Sequence, residues 1–196
     1  MDAIKAIMTR RSTRRFKDKP VEEDLLKEII EAGRYAPSGG NSQTDHFIVI
    51  TDKKILDRLA GMVQDTFSKM EVYEGMYKSM ANSITQSKTG RYIFHYNTPC
   101  LIVVANKKDY GNNFADVACA LENMMIYANA KDLGSCWINQ LRWLNEDDML
   151  LKLFHSFGMK EDERIYGALA LGYPDSEDGL PERKTIERKG NEVTYI

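Results

Sequence analysis

The sequence predicts a single domain of the α/β or α+β class that spans residues 1–196. Three observations lead to this prediction. About four short apolar segments of strand length alternate with longer segments of helical periodicity. Hydrophobic residues make up 43% of the chain, which is enough to build a core. No internal repeat or low-complexity linker divides the sequence.

The first half of the chain alternates helices with a loop and a strand. Residues 22–35 open with acidic side chains and then repeat apolar residues at helical spacing, until Pro37 ends the pattern. Small and turn-forming residues follow, and the short apolar run after them is typical of a strand. We predict helices over residues 2–9, 22–35 and 53–72, a loop over 36–43 and a strand over 46–51.

The second half begins with residues 73–97, a polar segment whose weak periodicity indicates only partial helix. The apolar run at 99–106, PCLIVVAN, is typical of a strand buried on both faces. Residues 114–132 carry so few polar side chains that their helix must be covered on most sides, which favours a homodimer with this helix in or near the interface. The remaining predicted elements are strands over 135–139 and 165–173 and a helix over 146–157.

Composition and absent motifs argue against several classes of protein. The net charge of −2 argues against a protein that mainly coats nucleic acid. The sequence contains no run of about 18 uncharged apolar residues, so we expect neither a membrane span nor a secretory signal. Cys100, Cys119 and Cys136 lie in apolar stretches, so we expect core thiols in a cytoplasmic protein, with no disulfide and no metal site. Rossmann, P-loop, zinc-protease and serine-hydrolase motifs are all missing. If the protein is an enzyme, we therefore expect its reactive group to belong to a bound molecule and not to a side chain.

Two basic clusters lie near opposite ends of the chain. Residues 10–19, RRSTRRFKDK, hold six bases and one acid, and the second cluster, RKTIERK, begins at Arg183. Ser12 and Thr13 separate two arginine pairs in the first cluster. This mixture suits a phosphate, which accepts bidentate arginine bonds and hydroxyl bonds together. Two other interpretations stay open, a solvated charged face and a nucleic-acid surface.

Several short strings occur in one order along the chain: RRSTRRF (10–16), APSGGNSQ (36–43), LGSCWIN (133–139), LGYP (171–174) and PERK (181–184). On these strings the chain resembles the nitroreductase family over nearly its whole length. The resemblance implies an α+β fold, a three-layer sandwich whose central mixed, mostly antiparallel sheet is flanked by helices. It also implies a homodimer that holds FMN noncovalently at the subunit interface.

The resemblance further implies which residues meet the FMN phosphate and ring. Arg10, Arg11 and Ser12 match the family's phosphate and ribityl contacts, and the basic pair Arg183 and Lys184 matches the pair that closes on the same phosphate. Whether Arg188 and Lys189 join that pair is left open. Arg14 falls where the family has a cation near the N1/O2 edge of the flavin. The alternative for Arg14 is an ion pair with Asp18 or with a carboxylate on a neighbouring helix.

Two more segments match the family's flavin contacts. APSGGNSQ matches a loop that comes from the other subunit, although a plain helix-to-strand loop would fit it equally well; its candidate residues are Pro37, Ser38, Asn41 and, less clearly, Gln43. The segment Trp137, Ile138, Asn139, Gln140 matches the backbone beside flavin N5, where a main-chain N–H donates a hydrogen bond. Many relatives have glycine-rich residues after the Trp-Ile pair, so Asn139 and Gln140 depart from the family pattern. The shape of the pocket over the flavin is therefore expected to differ from the family's.

The activity implied is a ping-pong oxidoreductase. NAD(P)H would pass a hydride to the flavin, and a small acceptor such as a nitroaromatic or a quinone would then take two electrons. No side-chain acid or base is required. The alternative is a flavin-binding store or sensor without efficient turnover. Neither the choice between NADH and NADPH nor the acceptor can be read from the residues.

Overall fold

A four-stranded antiparallel sheet forms the centre of the computed structural model, which describes residues 1–196. The strands are β1 (His46–Ile50), β2 (Cys100–Lys107), β3 (Gly134–Ile138) and β4 (Glu163–Gly172). Their spatial order is β1-β2-β4-β3, and every neighbouring pair is antiparallel. The strand β3 therefore forms one edge of the sheet.

Seven α-helices and one turn of 3-10 helix pack around this sheet. The helices are α1 (Ala3–Thr9), α2 (Glu23–Arg34), α3 (Lys53–Ser68), α4 (Lys78–Ser87), α5 (Asn113–Ala130), α6 (Gln140–Trp143) and α7 (Asp148–Ser156), with the 3-10 turn at Gly39–Asn41. Aspartate side chains fix three of the starts: Asp2, Asp52 and Asp147 accept hydrogen bonds from backbone N–H groups in the first turns of α1, α3 and α7. Such caps satisfy donors that the helix itself leaves unpaired.

The strand β2 is buried on both faces and separates two cores. Leu101 and Val103 pack into a core shared with α3, α4, α6 and α7. Ile102 and Val104 face the opposite way into a core shared with α2 and α5. Because successive side chains of a strand point to opposite faces, one apolar run serves both layers. The predicted three-layer α+β sandwich is confirmed.

The elements follow the predicted order but differ at their ends. The predicted sheet was mixed, but the only parallel pairing is one isolated bridge between Ser12 and Ser135, and all four strands are antiparallel to their neighbours. The helix predicted over 53–72 ends at Ser68, where the chain turns back on itself. Asn139 was expected to close a strand, but it leaves the sheet and becomes the residue that precedes α6.

The long helix α5 buries one face; on the opposite face Phe114, Ala115 and Cys119, near the start of the helix, are exposed, and the later residues are half-buried. Its buried apolar residues recur at helical spacing toward the sheet. The prediction that all three cysteines lie in the core is wrong for Cys119, which is exposed because it lies on the opposite side of α5, whereas Cys100 and Cys136 are buried. The short helix α1 also leaves an apolar face uncovered: Ile4, Ile7 and Met8 are all exposed. No helix is both long and apolar enough to cross a bilayer.

Candidate functional site

The first basic cluster runs along the edge strand of the sheet. After α1 the chain passes beside β3, where the N–H of Thr13 donates to the carbonyl of Ser135 at 2.9 Å. A Cβ atom on Gly134 would lie 2.6 Å from the Thr13 side chain, so glycine at this position permits the close approach. The local packing therefore fixes Ser12 and the arginines around it against β3.

Arg11 has the least satisfied side chain of this cluster. Its Nη1 donates to the carbonyl of Arg10 at 2.5 Å and to that of Met8 at 3.3 Å. Its Nε and Nη2 atoms are buried and have no hydrogen-bond partner in the chain. Buried polar groups almost always have partners, and a guanidinium offers its donors in a fork that matches phosphate or carboxylate oxygens. Arg11 therefore fits an anionic group that is not part of the protein chain.

The neighbouring arginines have different partners. Arg10 lies 3.4 Å from Glu122 of α5, measured between Nε and Oε1. Arg14 makes no ion pair, neither with Asp18 nor with any other carboxylate, and its guanidinium carbon lies 5.9 Å from the centre of the Tyr96 ring. The ion pair considered as the alternative for Arg14 is therefore absent, and its charge is balanced by no acid.

The second basic cluster reaches the C-terminal end of α5. Arg183 donates to the carbonyl of Asn129 and to the carboxylate of Asp132, both at 2.5 Å. The amide of Asn129 in turn donates to the carbonyl of Ala6 at 2.9 Å, in the last turns of α1. Asn129 thus connects the second basic cluster to α1, the helix that leads into the first basic cluster. Lys184 is exposed and forms no ion pair, and Arg188 and Lys189 lie on the exposed C-terminal segment.

A buried carboxylate holds the glycine-containing loop in place. Asp116 of α5 accepts a hydrogen bond from the N–H of Gly39 at 3.1 Å and another from the hydroxyl of Tyr110 at 2.9 Å. The same hydroxyl lies 3.0 Å from the carbonyl of Gly39. A Cβ atom on Gly39 would lie 2.5 Å from this hydroxyl and 2.0 Å from Nδ2 of Asn112, so no other residue fits here without movement. The loop is therefore braced at its first glycine.

The predicted flavin-contacting side chains of this loop lie together beside a cavity of about 460 Å³. Asn41 and Gln43 both have positive φ angles, 56° and 50°, and the amide of Gln43 donates to Oδ1 of Asn41 at 3.1 Å. The hydroxyl of Ser38 accepts from the N–H of Gln43 at 3.1 Å. Pro37, which precedes them, is exposed. No hydrogen bond or ion pair joins this loop to the arginines of residues 10–15 within one chain.

Asp45 lines the same cavity and was missed by the sequence analysis. Burial raises the pKa of its carboxyl to about 6; a hydrogen bond from Asn106 opposes the rise, and the negative charge of Asp116 adds to it. The hydrogen bond from Nδ2 of Asn106 to Oδ1 of Asp45 measures 2.7 Å. Only the position of Asp45 between two recognisable segments could have indicated it, because an aspartate in a loop is by itself common.

The segment predicted to lie beside the flavin forms the turn from β3 into α6. Ile138 ends the strand, and the backbone N–H of Asn139 has no acceptor in the chain. The side chains here are held: Nε1 of Trp137 donates to Oδ1 of Asn139 at 3.0 Å, and Nε2 of Gln140 donates to Oη of Tyr92 at 2.6 Å. In the strand just before the turn, burial raises the pKa of the Cys136 thiol, as expected for a core cysteine.

The candidate residues lie in separate groups, and their chemistry fits a large anionic cofactor. Arginine donors without partners, small and amide side chains and a free backbone N–H offer hydrogen bonds to an anion and to a polar ring edge. No group of three or more histidine, cysteine or acidic side chains is arranged to hold a metal ion. Fold and site together describe an α+β protein whose sheet edge carries arginine donors without partners in the chain.

The chain belongs to the nitroreductase family, whose model matches residues 7–173. The crystal structure of a nitroreductase with bound FMN from Bacteroides fragilis NCTC 9343 is similar over 100% of this chain and 99% of that protein, with 32% identity and a TM-score of 0.85. A nitrobenzene nitroreductase from Ectopseudomonas oleovorans is 22% identical over 208 residues, covering 91% of this chain and 88% of the relative. The fold is shared with an FMN and NADPH-dependent nitroreductase mutant from Sphigopyxis sp. strain HMH, at 20% identity, coverage of 100% and 99%, and a TM-score of 0.73.

Proposed function

We propose that this protein is an FMN-dependent oxidoreductase that uses NAD(P)H to reduce a small acceptor, such as a nitroaromatic or a quinone, in a ping-pong reaction. When bound, FMN supplies the chemistry, because its ring can take a hydride from the nicotinamide and pass two electrons to the acceptor. The protein's own contribution is to bind, orient and provide fixed charge. No side chain of the site needs to act as an acid or a base.

The observation that carries this proposal is the pair of buried, unpartnered donors on Arg11. A phosphate oxygen would satisfy both, and Ser12 and Arg10 stand beside them on the same segment. Arg183 and Lys184 add positive charge at the end of α5. Arg183 is engaged by Asp132, so its role is to bring the C-terminal segment to the site as well as to contribute charge.

The other unpartnered groups of the site would bind the flavin ring. Arg14, with no acidic partner, provides a cation for the ring edge that becomes negative on reduction. The unpaired N–H of Asn139 provides a donor for N5, and Ile138 and Gln140 flank it. Trp137 fixes the Asn139 side chain and so shapes the turn.

We further propose that the protein is a homodimer in which Pro37, Ser38, Asn41 and Gln43 meet the flavin bound by the other subunit. The exposed apolar face of α1, with Ile4 72% exposed, and the exposed start of α5 at Phe114 and Cys119 support such an interface. We also propose a cytoplasmic location, which is supported by three cysteines that form no disulfide.

The proposal is tested by the visible absorption spectrum of the purified protein. We expect a yellow protein that releases FMN on denaturation, is bleached by anaerobic NADH or NADPH, and regains its colour when a nitroaromatic or a quinone is added. Colour without bleaching would instead indicate a flavin store. A colourless protein that takes up no added FMN would refute the proposal.

A variant tests the role of Arg11 directly. We expect Arg11→Gln to lower FMN affinity by about 10- to 100-fold, because each hydrogen bond to a charged group contributes about 1.5–3 kcal/mol. Arg58→Gln is the matched control, since Arg58 is exposed on α3 and far from the basic cluster in sequence. Equal FMN affinities for the two variants would contradict the assignment of the phosphate site.

A further inference from the structure

A network of three polar side chains joins the turn after β3 to the segment 73–97. Nε2 of Gln140 lies 2.6 Å from Oη of Tyr92 and 3.3 Å from Oγ of Ser83, and the two hydroxyl oxygens are 2.9 Å apart. Ser83 is only 1% exposed, and both of the other side chains are partly buried. The network therefore lies inside the protein, where hydrogen bonds are shielded from competing water.

One arrangement of the protons satisfies every hydrogen bond of this network. Ser83 donates its single hydroxyl proton to the carbonyl of Ser79 at 3.1 Å. Tyr92 must then donate to Ser83, and its oxygen accepts from the amide of Gln140. Burial raises the pKa of the Tyr92 hydroxyl, so that it stays protonated and remains a donor. The chain of hydrogen bonds thus runs from the turn through Tyr92 into the backbone of α4.

Tyr92 is fixed from a second side as well. Its backbone N–H donates to Oε1 of Gln64 in α3 at 2.9 Å. The residue therefore connects α3, α4 and the start of α6, and its side chain ends at the residue next to Asn139. The backbone N–H groups of Asn139 and Gln140 both lack an acceptor, and the network borders directly on Asn139, whose N–H is the donor assigned to flavin N5.

We propose that Tyr92 is a positioning residue for the cofactor: through Gln140 it holds the turn at Asn139 in the orientation that presents the backbone N–H to flavin N5. This inference rests on the proposed function. It assigns a role to the segment 73–97, which the sequence left without one. Tyr92, near the end of this segment, thus affects the hydrogen bonding of the flavin by fixing the main chain at Asn139.

The expected effect has a definite sign. N5 accepts a hydrogen bond in the oxidised flavin, whereas in the reduced flavin the same atom carries a hydrogen. A misaligned N–H donor therefore weakens the binding of oxidised FMN more than that of reduced FMN. The ratio of the two affinities fixes the midpoint potential, which must rise when the oxidised form loses affinity.

The test compares Tyr92→Phe with Tyr73→Phe in the FMN-loaded protein. Tyr73 lies in the same segment, is 66% exposed, and its hydroxyl has no hydrogen-bond partner. We expect Tyr92→Phe to weaken binding of oxidised FMN by about three- to tenfold relative to reduced FMN. A tenfold change corresponds to a rise of about 30 mV in a two-electron potential. We expect Tyr73→Phe to match the wild type in both affinity and potential.

A second variant guards against a simple folding defect. Ser83→Ala removes the acceptor of the Tyr92 hydroxyl but keeps the bond to Gln140, so we expect a smaller shift of the same sign. The inference is overturned if Tyr92→Phe leaves the potential unchanged, or if it weakens oxidised and reduced FMN equally, as a purely structural role would. A wild-type protein that binds no FMN would refute the proposed function itself, and this inference with it.

Discussion

Replacing Asp45 by asparagine is expected to make the protein more stable at neutral and alkaline pH. In the folded protein the carboxyl of Asp45 has a pKa of about 6, mainly because it is partly buried. In the unfolded chain the carboxyl returns to its ordinary pKa of 3.8. The folded state therefore binds the proton more tightly than the unfolded state, and stability falls as the pH rises through these two values.

The size of the effect follows from the two pKa values. A difference of about two pKa units corresponds to about 3 kcal/mol at about 1.4 kcal/mol per unit. Asp45 is only half-buried, so solvent screening reduces the contribution to about 1 kcal/mol. Asn106 donates to Oδ1 of Asp45, and the carbonyl oxygen of an asparagine side chain can accept the same bond. The substitution thus removes the charge and keeps the hydrogen bond.

The assay is urea-induced unfolding of both proteins at pH 4 and at pH 8. We expect Asp45→Asn to raise the free energy of unfolding by about 1 kcal/mol at pH 8 and to leave it nearly unchanged at pH 4. Asp109→Asn is the control, because Asp109 lies in an exposed turn. The reasoning fails if Asp45→Asn is less stable than the wild type at pH 8, or if its effect is the same at both pH values.

Glu163→Gln and Gly39→Ala test the fold around the site, and Gly61→Ala is the control for the second. Glu163 is 2% exposed and has a lowered pKa: burial would raise it, but hydrogen bonds from His46 and from the backbone N–H of Lys160 outweigh burial. The contribution of the Glu163 carboxylate to stability is therefore present above pH 4.5, its ordinary pKa, and is lost as the pH falls through the lowered pKa of the folded state. Glu163→Gln should lower the free energy of unfolding by about 1–3 kcal/mol at pH 7 and by less below pH 4. Thermal unfolding at the two pH values measures the difference. Gly39→Ala should cost about 1–3 kcal/mol because the added Cβ atom would lie 2.5 Å from the Tyr110 hydroxyl and so disturb its hydrogen bond to Asp116. Gly61→Ala, in the open middle of α3, should instead stabilise by about 0.5–1 kcal/mol, and an equal loss for both glycines would contradict the packing argument.

Much of the fold could be predicted from periodicity alone. The apolar run around Ile102 showed a strand buried on both faces, and the helical repeat of α2 ended where Pro37 indicated. Element ends were less accurate, because they depend on single hydrogen bonds. Asp147, for example, caps α7 and moves its start from the predicted residue 146 to Asp148.

Short strings predicted the candidate residues of the site, but not the distant residues that pack against them. Arg11 and Asn139 could be named from their segments, and the structure adds that Nε and Nη2 of Arg11 and the backbone N–H of Asn139 lack partners. The brace formed by Asp116 and Tyr110 joins the loop to residues more than 70 positions away. No local pattern encodes such a contact, because only the packing of α5 against the sheet brings these groups together.

The bridge through Asn129 has a consequence for the order in which the protein is assembled. The bond from Asn129 to Ala6 spans 123 residues, and the bond from Arg183 to Asn129 spans 54. Contacts between such distant positions form late, because the intervening chain must be ordered before they repay their entropy. A chain that ends before Arg183 contains all four strands of the sheet, yet it lacks the segment that Arg183 anchors to the C-terminal end of α5. High-affinity cofactor uptake should therefore be among the last events of biosynthesis, after the sheet itself is complete.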